Sequence, residues 1–180
     1  MTLLSTQRIH TGRVVSLDID TVKFPNGNVG ELEMFRHPGA AAVLPFLDDP
    51  QCADPRILLI RQFRHATGDF LWEIPAGRRD HGEHPDATAH RELREETGYR
   101  CGRLEKLTQI WTTPGFTDEV IHLYLAADLT PGESALESDE VIAVHQFRWS
   151  EVLQMVQNGT ILDCKTLVAI TFVQCFYRKP

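Results

Sequence analysis

The residues best placed to do chemistry are Glu83, Arg91, Glu92, Glu95 and Glu96, all within residues 77–99, GRRDHGEHPDATAHRELREETGY. The second half of that stretch reads as a helix from its ends. Pro85 suits a first-turn position, where a missing N–H costs no hydrogen bond. Gly98 suits the position just past the end, where a left-handed backbone is wanted. Asp86 lies in the first turn, where the helix dipole favours a carboxylate. Glu92 and Glu96 are then i, i+4 and Glu92 and Glu95 are i, i+3, so the three carboxylates share a face. Like charges at that spacing repel, and the helix loses stability unless a cation joins them. Hard oxygen donors in a cluster suit Mg²⁺ or Mn²⁺ better than a metal that favours thiolate or imidazole. Arg91 and Glu95 are also i, i+4 and form a possible plain ion pair. Taken alone, an E-L-R-E-E run is more often a solvated acidic face.

The longer spacing changes that balance. Gly77, five residues, Glu83, seven residues, Arg91-Glu92-Leu93, one residue, Glu95-Glu96, one residue, Gly98-Tyr99 matches the Nudix signature at every defined position, so the sequence resembles a Nudix hydrolase. The resemblance implies a loop–helix–loop that binds divalent metal against a pyrophosphate. It implies Glu92 and Glu96 as principal Mg²⁺ ligands, Glu95 as a further ligand or catalytic relay, and the carbonyl of Ala76 as a backbone ligand. It also implies Arg91 and Glu83 as a structural pair anchoring the loop to the helix, and Gly77 as a tight-turn glycine.

Outside that stretch, Ile60-Arg-Gln-Phe-Arg64, Trp72-Glu-Ile-Pro-Ala-Gly77 and Pro114-Gly-Phe-Thr-Asp-Glu119 resemble the ADP-ribose pyrophosphatase group, as does Pro114 sixteen residues beyond Gly98. This likeness implies Arg64 and Glu73 at the phosphate and ribose region of the substrate, with Arg61 beside them. Phe116, on a loop, reads equally as packing or as a stacking surface for a base. The likeness puts the general base in the late acidic loop, with Glu140 first and Glu137 second. The expected activity is Mg²⁺-dependent hydrolysis of ADP-ribose and related nucleoside diphosphate sugars to AMP and a sugar phosphate. GDP-mannose or broad nucleotide-sugar cleavage is the alternative, and a non-catalytic binding module is the reading from another class.

The elements that must position these residues are read from pattern. Residues 12–35 form a β-hairpin: Val15, Leu17, Ile19 and Thr21 alternate with polar residues, and Pro25-Asn26-Gly27-Asn28 marks the turn. The apolar runs 40–47 and 56–63, joined by an Asp- and Pro-rich loop, are expected to be paired strands, the second buried on both faces. Trp72 and Ile74 alternate with Glu73, and Pro75-Ala76-Gly77 reads as a turn. Residues 104–111, 119–129 and 141–149 are further strands. Ser150 is the expected N-cap of a helix ending at Asn158-Gly159, and Asp163 or Thr160 opens a final apolar helix. The order β, β, β, β, α, β, β, β, α, α gives an α+β fold with a mixed β-sheet sandwiched between helices. The Nudix resemblance implies the same architecture. Residues 1–38 are expected to be a separate β-hairpin segment that pairs two chains into a homodimer, and residues 39–180 the catalytic domain.

Composition narrows the partners. A net charge of −7 without a basic block argues against nucleic acid, so an anionic substrate needs a metal or a local arginine cluster. The four cysteines are far apart with no CxxC pair, which fits reduced thiols in a cytoplasmic protein. The first residues lack the apolar core of a signal peptide, and no run approaches membrane-spanning length.

Overall fold

The computed structural model describes residues 1–135 and 141–178. Its elements run β1 (Thr2–Thr11), β2 (Ser16–Lys23), β3 (Val29–Arg36), β4 (Ala40–Pro45), β5 (Arg56–Arg64), β6 (Asp69–Glu73), β7 (Ala76–Arg78), α1 (Pro85–Thr97), β8 (Tyr99–Trp111), β9 (Val120–Pro131), β10 (Ile142–Arg148), α2 (Trp149–Gln157) and α3 (Cys164–Phe172), closed by a π-helical turn (Val173–Tyr177).

The strands form three sheets. The four-stranded sheet, ordered β7-β4-β9-β8, is mixed: β4 and β9 run parallel and the other pairs antiparallel. Period-two alternation gives β4 and β9 two different faces. Ala41, Val43, Tyr124 and Ala126 pack on Ala89 and Leu93 of α1. Ala40, Ala42, Leu44, Leu123 and Leu125 look the other way, toward Ile57 and Leu59 of β5 and the apolar side chains of α2 and α3. The second sheet, β10-β5-β6, belongs to that opposite layer. The mixed sheet is therefore covered by α1 on one face and by α2 and α3 on the other, an α+β sandwich. Among the described residues no helix is long and apolar enough to cross a membrane.

Two expectations are corrected here. The runs 40–47 and 56–63 do not pair along their length, because the intervening loop carries the chain from one sheet to the other. Only Phe46 and Ile57 bridge, with Leu47 N–H donating to the Arg56 carbonyl. Ser150 is not a cap. α2 begins two residues earlier than that cap would require, with Arg148 at the N-cap position and its N–H donating to Glu151 Oε2 at 2.7 Å.

The N-terminal sheet, β1-β2-β3, contains the expected hairpin as β2 and β3 and adds β1, which pairs along β2. The buried residues of β2 are Asp18, Asp20 and Val22, not the Leu17 and Ile19 that dominate its apolar pattern. Arg8 and Arg36 cover Asp18, and Arg36 and the Thr6 hydroxyl cover Asp20. The sheet is stitched to the rest of the molecule at the end of β3. Phe35 N–H donates to the Phe116 carbonyl at 2.7 Å, and His37 N–H donates to Asp118 Oδ1 at 2.8 Å.

Candidate active site

The helix that carries the acidic cluster is fixed at both ends. His84 is the N-cap, Pro85 occupies the first turn, and Gly98 closes the helix in a left-handed conformation at φ 75°. Tyr124 of β9 donates a hydrogen bond to Asp86 Oδ1, which ties the first turn to the sheet. The loop before the helix is held by Glu83. Its carboxylate accepts from the Asp80 N–H, the Thr88 hydroxyl and Arg91 Nε and Nη2 at 2.8–3.1 Å. The Arg91 guanidinium beside it holds Glu83 down to a pKa of about 2, well below the usual carboxylate range. Arg91 also donates to the Arg78 carbonyl, so one guanidinium clamps loop, strand and helix together.

Glu92, Glu95 and Glu96 emerge on one side of α1, as their spacing requires. Glu92 and Glu96 are buried and Glu95 is half-buried. Arg91 Nη1 donates to Glu92 Oε1 at 2.6 Å and to Glu95 Oε2 at 3.2 Å, and Arg94 donates to Glu95 Oε1. The Ala76 N–H donates to Glu96 Oε2 at 2.9 Å. Residues 76–78 form the short strand β7 rather than a free turn, and β7 lies along α1. A Cβ built on Gly77 would stand 2.0 Å from Glu92 Oε1. Glycine at 77 is thus what leaves room for the Glu92 carboxylate against the strand.

These groups line one side of an open cavity of about 430 Å³ together with Ala76, Gly77, Arg78, Asp80 and Arg91. Arg64, Gln62, Phe63 and His65 of β5 and the turn after it form another side, and Arg13 and Val14 of the β1–β2 connection complete it. Arg78 Nη1 donates to the Arg13 carbonyl, so the N-terminal sheet reaches the rim of its own chain's cavity.

The remaining expected residues fall in different places. Arg64 faces the cavity. Glu73 does not: it is 1% exposed, and both its oxygens accept from Arg64, Nε to Oε1 and Nη2 to Oε2, each at 2.8 Å. Burial alone would raise its pKa, but the hydrogen-bonded Arg64 and the charge of Lys165 outweigh it and hold the carboxyl below its ordinary value. Arg61 does not line the cavity. Its guanidinium sits 4.9 Å from the centre of the Phe70 ring and 5.8 Å from that of Trp72. Phe116 also lies off the cavity, edge-on to Phe35 with centroids 6.2 Å apart. Glu137 and Glu140 fall outside the described residues. Gln62, which pattern reading passed over inside the motif 60–64, lines the cavity and has a buried Oε1 with no hydrogen-bond partner among the described residues. Lys165 was missed as well, since nothing in its local sequence marks it as a partner of Glu73.

Among the described residues, no three His, Cys, Asp or Glu side chains converge closely enough to hold an ion in this arrangement. The donor chemistry nevertheless suits a hard divalent cation. Three carboxylates share one helix face at the wall of an open cavity, and the cradle at Gly77 admits one of them against a strand backbone.

Comparison with known proteins agrees with this geometry. Residues 36–163 match the NUDIX domain family. The chain is 40% identical over 173 residues to a methanol dehydrogenase activator of Bacillus methanolicus, covering 95% of this chain and 91% of that one. It is 38% identical over 173 residues to an ADP-ribose pyrophosphatase of Bacillus subtilis (strain 168), with the same coverage. An ADP-ribose pyrophosphatase of Mycobacterium tuberculosis is 40% identical, covering 94% of this chain and 81% of that one. A cavity walled by the glutamates of the 77–99 signature, in a chain that matches the domain over residues 36–163, makes this protein a member of the Nudix family.

Proposed function

We propose that the protein is a Mg²⁺-dependent hydrolase that cleaves the pyrophosphate of ADP-ribose and related nucleoside diphosphate sugars to AMP, or another nucleoside monophosphate, and a sugar phosphate. The observation that carries this reading is that Arg64 lines the same cavity as Glu92, Glu95 and Glu96. A guanidinium in the lining suits a phosphate oxygen, and a carboxylate set in the same lining suits a cation that the phosphates also bind. Identity to two ADP-ribose pyrophosphatases over nearly the whole chain supports the substrate class.

Glu92, Glu95 and Glu96, with the Ala76 carbonyl, would hold the Mg²⁺. A divalent ion held there would supply charge neutralisation at the phosphate oxygens and a more acidic water. The chain's own groups do the rest. Arg64 binds and orients the phosphates, and Glu73 holds Arg64 in place. The Ala76 N–H fixes Glu96, and Arg91 holds Glu92 and Glu95 on the cavity side of α1. Glu140, with Glu137 second, takes the proton of the attacking water; this assignment rests on sequence likeness. Arg61 and Phe116 would serve as second-line substrate contacts, reached only with movement of the strand face and of the loop.

The domain reading, residues 1–38 as a pairing segment and 39–180 as the catalytic domain, stays part of the proposal. β1 is an edge strand exposed at every position, including Leu3, Leu4 and Ile9. Such an edge favours pairing with another chain, here a second copy. Gel filtration giving the mass of one chain would defeat that part. A cytoplasmic location belongs to the same reading and rests on the widely spaced cysteines.

The deciding experiment gives the purified protein ADP-ribose, ADP-glucose, GDP-mannose, NADH and a nucleoside triphosphate with Mg²⁺, with and without chelator. Chelator-sensitive release of AMP mainly from ADP-ribose is expected. Comparable cleavage of GDP-mannose would broaden the substrate class. No cleavage of anything, with Mn²⁺ also tried, would favour a binding module. The similarity to the Bacillus methanolicus protein favours a second reading in which the chain activates a methanol dehydrogenase. An unchanged rate of that dehydrogenase on adding the chain would remove it.

A further inference from the structure

We propose that Lys165 is a positioning residue of this site: from the N-terminus of α3 it holds Glu73, and through Glu73 it fixes the Arg64 guanidinium that faces the cavity. The inference rests on the reading of Arg64 as the phosphate-binding group. Lys165 Nζ donates to Glu73 Oε2 and lies 3.0 Å from Asp163 Oδ1. Glu73 in turn accepts both arms of Arg64. The four groups alternate in sign, Asp163, Lys165, Glu73, Arg64, and run from the cap of a helix to the cavity wall.

Lys165 and Glu73 are 8% and 1% exposed. A buried pair of charges is often no more stable than apolar residues of the same volume, so stability is a weak reason for it. Nor is Lys165 needed to dock α3. The Thr166 hydroxyl accepts from the Ile74 N–H at 2.9 Å and donates to Asp163 Oδ2 at 2.6 Å, which already joins the helix start to the end of β6. What Lys165 adds is charge. Without it, Glu73 and Asp163 would face Arg64 alone, and the guanidinium would lose the fixed, doubly held carboxylate that sets its direction. Neither Lys165 nor Glu73 lines the cavity, whereas Arg64 does, so the effect must pass through Arg64.

Methylenediphosphonate with Mg²⁺, a pyrophosphate mimic that cannot be hydrolysed, tests this without turnover. Calorimetry on Lys165→Met should show its Kd raised about tenfold, the low end of what an outer-shell partner costs. Arg64→Met should show at least as large a loss, and the double variant should bind no more weakly than Arg64→Met alone. Lys165→Arg, which keeps the charge, should recover most of the affinity. In turnover assays the KM for ADP-ribose should rise by about the same factor in Lys165→Met while kcat stays within about threefold. If Lys165→Met does not fold, Lys165→Gln, which keeps a hydrogen bond to Glu73 and loses the charge, carries the same expectation. Unchanged diphosphonate affinity, losses that add in the double variant, or no diphosphonate binding by the unmodified protein would each overturn the positioning role. Failure of the unmodified protein to cleave ADP-ribose, with diphosphonate binding and its dependence on Lys165 intact, would instead defeat only the functional reading.

Discussion

The molecule holds two acidic clusters that look alike in composition and differ in what surrounds them. In the N-terminal sheet, Asp18 and Asp20 sit two apart on β2, and guanidiniums from the strands on either side, Arg8 and Arg36, close over them. Arg36 also lies 3.5 Å from Asp118 Oδ2, and the bonds with Arg8 and Arg36 lower the Asp18 pKa against the rise that burial would bring. On α1, Glu92 and Glu95 draw on Arg91, which is already clamped to Glu83 and the Arg78 carbonyl, while Arg94 serves Glu95 and the Ala76 N–H serves Glu96. Both carboxylates of the first cluster are covered by guanidiniums from neighbouring strands. In the second, Glu92, Glu95 and Glu96 line a cavity instead. A cluster closed over by neighbouring strands holds them together, whereas one at a cavity wall is placed to meet a cation.

That contrast is broken most directly by neutralising one acid in each cluster. Removing an outer-shell partner of a metal commonly costs about 10- to 100-fold in activity. Glu96→Gln, which removes a proposed ligand itself, should lower kcat by on the order of 10³-fold. The melting temperature should hold or rise, since one of several repelling charges is gone. Near wild-type turnover in Glu96→Gln would end the metal assignment. Next in size is Gly77→Ala. Its methyl would lie where the Glu92 carboxylate now packs, so the carboxylate must swing away while the backbone stays. Displacing a reacting group by about an ångström costs up to roughly 10²-fold, and a loss of that order in kcat with an unchanged melt is expected. Asp18→Asn, in the strand-covered cluster, should leave kcat within about twofold and lower the urea midpoint instead. A large loss of turnover in Asp18→Asn would mean that the two clusters do not divide structure from function.

How much of this could be read from the sequence differs in the same way. The helix was legible because its ends carry local chemistry: Pro85, Asp86 and Gly98 occupy the expected positions, as does Asp163 at the start of α3. The turn of the first hairpin was equally local. β1 left no trace, since all ten of its residues are exposed and neither face imposes an alternation. The partners of β4 and β5 were illegible for another reason. Sequence neighbours pair by default, yet the loop between them crosses to another sheet, and only the packing of both layers decides that. Within the site, the glutamates declared themselves by spacing on one helix. Arg61 and Arg64 looked interchangeable in the motif, yet in the fold Arg64 lines the cavity and Arg61 sits against Phe70 and Trp72. The role of Glu73 depends on a lysine 92 residues away in the chain. No local pattern carries that information.

The smallest effect, on stability alone, comes from Glu83, the acid that ties the loop to the helix. Its folded pKa is about 2 against an ordinary 4.5, chiefly because Arg91 hydrogen-bonds to its ionised form. A depressed carboxylate pKa means that the unfolded chain binds the proton more readily. The stabilisation is therefore fully present above about pH 4.5 and is lost as pH falls from there toward 2. Glu83 is only partly shielded from water, so the contribution is modest. Glu83→Gln should accordingly flatten the acid limb of the stability curve between about pH 4.5 and 2, with little change in the shape of the curve above it. Urea midpoints measured at half-unit steps of pH would show this. An acid limb as steep in Glu83→Gln as in the unmodified protein would mean that other carboxylates govern it. Asp48, which Arg56 also holds to about 2, would then be the first to neutralise.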